Sequence, residues 1–318
     1  MKKKVVALML SATLTLSLAA CGDTGTTTES KAPSEPPVQN TQNEPSLDPQ
    51  PATPVPAPIE ALEESGALGD FGVDIHEFEL VEDYNGNPAI IISYSFTNNG
   101  EDTTSGMVAL SDIAYQNGVQ LDTAIITGRD IGSNNMKDIK TGASIELQAA
   151  FLLSSNTAPV EFEVSEFASF SDKKLGKTFE IAEGGETVLT AAPSGSVSGA
   201  LGDYAVSVVS HKLSKDYQDA PAVVVTLGFT NNGNKASNFM TAISCKAFQD
   251  GVQLDTAIIT GDDSGSGESQ LRNVKPGAGV EVSVAYLLTS DTSPVEFEVE
   301  EFLSFSGDKI EASIDITQ

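Results

Sequence analysis

The residues able to do chemistry are few. His76 and His211 are the only histidines, and a serine or cysteine nucleophile needs a base such as histidine beside it. The two do not occupy matching positions in the duplicated halves of the chain described below, which argues against a duplicated active site. No HExxH, GxSxG or phosphate-loop pattern occurs. The run Asp262-Asp263-Ser264-Gly265-Ser266-Gly267-Glu268 has the oxygen-rich composition of a calcium loop but not the spacing of an EF-hand. It reads as a flexible acidic loop in which Asp262, Asp263 and Glu268 could contact a basic partner or a cation. Glu296, Glu298 and Glu300 alternate with Val295, Phe297 and Val299, which places three carboxylates on the outer face of one strand. Glycosidase chemistry needs a carboxylate pair in a cleft, so this row reads as a solvated face. Cys21 and Cys245 are the only thiols. No catalytic residue, no cofactor and no assembled metal site is expected.

These residues sit in a chain built by duplication. GVQLDTAIITG occurs unchanged at 118–128 and at 251–261, flanked by ALGD (from Ala67 and Ala200), FTNNG (from Phe96 and Phe229) and PVEFEV (from Pro159 and Pro294). The offset is 133 before the loop that follows the shared stretch and 135 after it. Under that offset Cys245 aligns with Asp112, a position that tolerates a polar group and so is expected outside the deep core.

Within each copy the apolar residues alternate with period two, the pattern of half-buried strands. Val223, Val225, Leu227 and Phe229 share one face, as do Ile90, Ile92, Tyr94 and Phe96. Ile145, Leu147, Ala149, Phe151 and Leu153, with Val280, Val282, Val284, Tyr286 and Leu288, are expected to form long central strands. Asn98-Asn99-Gly100, Asn117-Gly118, Asn231-Asn232-Gly233 and Asp250-Gly251 supply the positive-φ positions of tight turns. About seven strands per copy and no long helical period predict an all-β protein of two tandem immunoglobulin-like β-sandwiches, 67–181 and 200–318, joined by a linker at 182–199.

The N-terminus carries an address. Met1-Lys2-Lys3-Lys4 precedes an apolar run from Val5 to Leu18 and the junction Leu18-Ala19-Ala20-Cys21, the layout of an export signal over 1–20. A helix of that run rises only about 21 Å, too short for a permanent span. The junction resembles the lipobox of bacterial lipoproteins, which implies that Cys21 becomes the lipidated first residue, anchored on the extracytoplasmic face by two chains. Residues 21–66, rich in Pro, Thr, Ser and Glu, read as a disordered tether of up to about 140 Å if fully extended.

Acidic residues outnumber basic ones, 45 to 17, for a net charge of −28. Loss of the three N-terminal lysines makes it −31. Such a field disfavours nucleic acid and anionic membrane surfaces as partners. YSFTNNG at 94–100, GFTNNG at 228–233, AYQNGVQL, AFQDGVQL and KPGAGVEVSVAYLL ahead of PVEFEV are similar to the Ig-like modules of unknown function found in Gram-positive lipoproteins. That resemblance implies fold and location and carries no activity. The expected role is a tethered, non-enzymatic module that binds a surface or extracellular protein; the alternatives are a structural spacer or envelope protein without a specific ligand and, after it, a hydrolase.

Overall fold

The alternating runs become the strands of four antiparallel sheets. The computed structural model describes residues 61–260, 266–304 and 306–317. Its first copy contains β1 (Ser65–Leu68), β2 (Phe71–Glu82), β3 (Pro88–Asn98), α1 (Gly106–Ala109), β4 (Leu110–Gln116), β5 (Val119–Gln120), a 3-10 turn (Asn134–Met136), β6 (Ser144–Leu152), β7 (Val160–Glu166) and β8 (Lys174–Phe179). The second repeats the order: β9 (Val197–Leu201), β10 (Tyr204–Lys215), β11 (Pro221–Asn231), α2 (Phe239–Ala242), β12 (Ile243–Gln249), β13 (Val252–Gln253), α3 (Ser266–Leu271), β14 (Gly279–Leu287), β15 (Val295–Glu301) and β16 (Lys309–Ile314).

In each copy one sheet runs β1-β2-β3-β6 and the other β5-β4-β7-β8, with β9-β10-β11-β14 and β13-β12-β15-β16 as counterparts. The chain changes sheet between β3 and β4, β5 and β6, and β6 and β7, which is the crossover pattern of an immunoglobulin-like sandwich. A bulge interrupts β2 between Ile75 and Phe78 and β10 between Val208 and Ser210. Ile90, Ile92, Tyr94 and Phe96 meet Phe162 and Val164 from the facing sheet in one core, and Val223, Val225, Leu227 and Phe229 meet Phe297 and Val299 in the other. The alternation expected from the sequence is therefore the alternation observed.

The unchanged GVQLDTAIITG touches both sheets of its sandwich. After the hairpin turn it forms β5, buries Leu121 in the core, and then runs along the free edge of β6, where Ala124 N–H donates to Ala150 O and Leu152 N–H to Asp122 O. Ile126 lies over Ala89, Ile91 and Ala150 on the outer side of the sheet, and Ile259 repeats this over Ala222, Val224 and Ala285. Different residues of the stretch thus serve a turn, a core and a sheet edge.

Two expectations need correction. β6 and β14 are the last strands of their sheets, closed by the 122–124 segment and its counterpart; their alternating apolar residues, such as Leu147, Phe151, Val282 and Tyr286, face the cores even at the sheet edge. The two-residue β5 and β13 bring each copy to eight strands, because such short strands leave no periodic signal. Cys245 is partly buried and packs against the second core beside Tyr286, in agreement with a place outside the deep core, and desolvation pushes its thiol up to about 12. The polar residue aligned with it, Asp112, is held by Tyr94 Oη at 3.3 Å, and burial raises its carboxyl above the usual range. Both residues of the aligned pair are thus only partly buried.

The segment between the copies is bound along its length. Val188 N–H donates to Asn117 Oδ1, Thr190 O accepts from Gly279 N–H, Ala192 N–H donates to Thr230 Oγ1, and Pro193 O accepts from Ser207 Oγ. The described residues lie within one compact unit.

Candidate functional site at the junction of the sandwiches

The densest chemistry in the described residues lies where one sandwich meets the other, and its geometry starts from a turn. Asn117 and Gly118 have φ of 50° and 77°, as a two-residue hairpin with both central residues left-handed requires. The turn presents the outer edge of β5. The strip Asn273–Lys275 of the second sandwich adds to that edge: Gln120 N–H donates to Asn273 O at 2.9 Å, Lys275 N–H to Gly118 O at 2.8 Å, and Asn273 N–H to Gln120 Oε1 at 3.0 Å. Val274 is bridged to Val119 on one side and to Ser237 on the other, so hydrogen-bonded pairing continues from the first sandwich into the second. At Gly118 a side chain has no room, since a Cβ there would lie 2.6 Å from Ala278 Cβ and 2.7 Å from Leu189 Cδ2.

The strip is fixed from below by a buried asparagine. Asn231, the first Asn of FTNNG, donates through Nδ2 to Val274 O and Lys235 O, while its Oδ1 accepts from Gly233 N–H. Asn98 makes the same three bonds to Ile139 O, Asp102 O and Gly100 N–H. The motif thus sets the height of the loop that carries Lys275.

Lys275 reaches from this loop onto the outer face of β7. Its Nζ lies 2.8 Å from Glu161 Oε2, 2.6 Å from Glu163 Oε1 and 4.4 Å from the centre of the Tyr115 ring. All three charged side chains are about 12% exposed. Burial by itself opposes the charged form of each. It is outweighed by the mutual attraction, so Glu163 sits below the usual carboxylate range and Lys275 above the usual lysine value. Lys174 also bonds Glu163, and Arg272 grips Asp122 through both Nε and Nη2. A groove of about 510 Å³ runs beside this pair, with Asn87, Asn117, Leu152 and Ser154 of the first sandwich facing Arg272. Its charged groups are already paired with each other, and no nucleophile stands beside a base there.

The sequence-derived candidates fall elsewhere. Cys21, Asp262 and Asp263 lie outside the described residues. Glu268 is exposed in the first turn of α3. Among the described residues no group of three His, Cys, Asp or Glu could hold a metal ion, and no helix is long and apolar enough to cross a membrane. His76 is 3.6 Å from Glu146, and His211 contacts Asp315 O. The two histidines are in unlike surroundings. In the second sandwich Glu296 is exposed, while Glu298 meets Lys309 and Glu300 meets Lys246. Glu161 and Glu163, the first-copy counterparts of Glu296 and Glu298, form the junction instead.

The duplicated sandwich and the single junction define a tandem pair of β-sandwich modules. The chain belongs to the family described as domain of unknown function (DUF5067), whose model matches residues 53–166 and 195–301, one region in each copy. No curated protein matches. Among solved structures the chain is similar to a "putative lipoprotein" from Staphylococcus aureus subsp. aureus NCTC 8325, at 12% identity and a TM-score of 0.32, over 41% of this chain and 97% of that one.

Proposed function

We propose that the protein is a lipid-anchored, extracytoplasmic and non-enzymatic module pair that binds another surface or extracellular protein. The anchor rests on the signal-like N-terminus and the Leu-Ala-Ala-Cys21 junction. One observation carries the binding reading: apolar side chains stand exposed at the same places in both copies. Tyr84 and Tyr217, Ile125 and Ile258, Leu80 and Leu213, and Met107 and Met240 are each 49% or more exposed. Tyr84 N–H bonds Ile125 O and Tyr217 N–H bonds Ile258 O, so an aromatic and a branched aliphatic residue share one patch in each sandwich. Scattered exposed apolar residues are ordinary, but a paired patch kept twice is the composition of a contact surface.

The test joins two measurements. Cys21→Ala should move the protein from the membrane pellet to the medium; retention in the pellet removes the anchor. For binding, the lipid-free chain should capture a partner from cell-surface extract, and Tyr84→Ser with Tyr217→Ser should reduce capture at least tenfold, with the fold intact because both positions are exposed. Equal capture by the variant, or no capture by either, leaves the spacer role in its place.

A further inference from the structure

We propose that separate copies of this chain associate head to tail, the first sandwich of one docking on the second sandwich of the next through the contacts that already join the two sandwiches within a chain. The internal junction is heterologous: the strip side of the second sandwich meets the strand-edge side of the first. Each sandwich has both sides by duplication, so one strip side and one edge side are left over. An unclosed heterologous contact propagates.

The unused sides retain the contacting groups. On the free strip, Lys137 and Lys140 stand at the positions of Arg272 and Lys275, with Ile139 at that of Val274. Ile139 is bridged to Thr104 just as Val274 is to Ser237, and both lysines are exposed. On the free edge, Asp255, Glu296 and Glu298 replace Asp122, Glu161 and Glu163, Phe248 replaces Tyr115, and Lys309 holds Glu298 as Lys174 holds Glu163. The turn is also repeated, Asp250 and Gly251 having φ of 50° and 77°. What differs is cover. Gly118 is pressed against Ala278, whereas a Cβ at Gly251 would meet nothing within 4 Å; Ala278 is fully buried and its counterpart Ala143 exposed; Val252 on the free edge is 65% exposed. Asp138 in place of Asn273 is the one added charge on the strip, and it lowers the attraction without removing either lysine.

Within the chain the connecting segment holds the two sides at an effective concentration on the order of 1 mM, so between chains the contact should be populated in that range and below it on a shared surface. The experiment is sedimentation velocity on residues 22–318, from low concentration to about 1 mM at low salt, with repeats at high salt, where exposed ion pairs are screened. The expected result is a sedimentation coefficient that climbs with concentration and falls back in high salt. A donor-side variant, Lys137→Ala with Lys140→Ala, and an acceptor-side variant, Glu296→Lys with Glu298→Lys, should each stay monomeric. Their mixture should stop at a one-to-one dimer, because it holds one intact side of each kind. The wild-type series needs no variant to fold, and circular dichroism checks that the variants do. A wild-type chain that stays monomeric at about 1 mM overturns the proposal, as does association that persists in both variants.

Discussion

Lys275 stabilises the molecule through the charges it answers. Glu161 and Glu163 sit on the same face of one strand, two residues apart and nearly buried, and without a cation between them they would repel each other in a medium that screens poorly. Removing one member of a buried ionic group typically costs about 3–5 kcal/mol, while replacing the whole group by apolar residues is often neutral. Lys275→Met should therefore destabilise the chain by about that amount in urea unfolding, and Lys275→Met with Glu161→Gln and Glu163→Gln should recover most of it. A cost under about 0.5 kcal/mol for the single variant would place it with ordinary surface changes. The pH dependence follows from the shifts. Glu163 is depressed in the folded state, so its contribution is present above 4.5 and lost as pH falls through the folded value; Lys275 is raised, so its contribution is present below 10.5 and lost at higher pH. The parent should lose stability at both ends, and the triple variant should show a flatter profile.

At the scale of elements, the two Asx-Gly hairpin turns form an internal control. Gly118 and Gly251 share a φ of 77°, so an alanine at either meets the same left-handed backbone cost, about 1–2 kcal/mol. Gly118→Ala also drives a methyl into Ala278 and Leu189, while Gly251→Ala points into open space. Thermal melts should show Gly118→Ala as clearly the more destabilising; equal losses would mean that the junction gives way without cost. The same comparison shows how much could be read in advance. Turns, strand alternation and the duplication were legible because each is written in local residue order: Asn117-Gly118 specifies its turn, and Ile90 to Phe96 specifies its inner face. The junction was not. Lys140 and Lys275 have near-identical neighbours in sequence, yet one is exposed and the other lies between two carboxylates. Nothing in PVEFEV marks Glu161 for the junction, because its partner Lys275 lies 114 residues away. For Asp112, the hydroxyl that answers its carboxyl comes from Tyr94 on another strand, a contact that no single-position alignment displays.

At the scale of the whole molecule, the question is whether two sandwiches so joined still fold separately. Their main cores are separate: Phe96, Tyr94 and Phe162 belong to one, Phe229, Leu227 and Phe297 to the other. Each contains a complete pair of sheets, which is what independent folding requires. The junction adds backbone bonds at Gly118, Gln120, Asn273 and Lys275, the buried ionic group, and the packing of Val119 and Leu189 against the second core. Residues 61–186 and 187–318 made separately should each unfold cooperatively, and each should melt below the tandem chain. The first should lose more in proportion, since alone it leaves Glu161 and Glu163 without Lys275. Supplying residues 187–318 in excess should raise the melting point of 61–186, because a partner that binds only the folded state stabilises by mass action. If the two pieces melt as they do in the tandem chain and neither responds to the other, the junction is contact without coupling. The chain would then present its exposed patches on two independently moving modules.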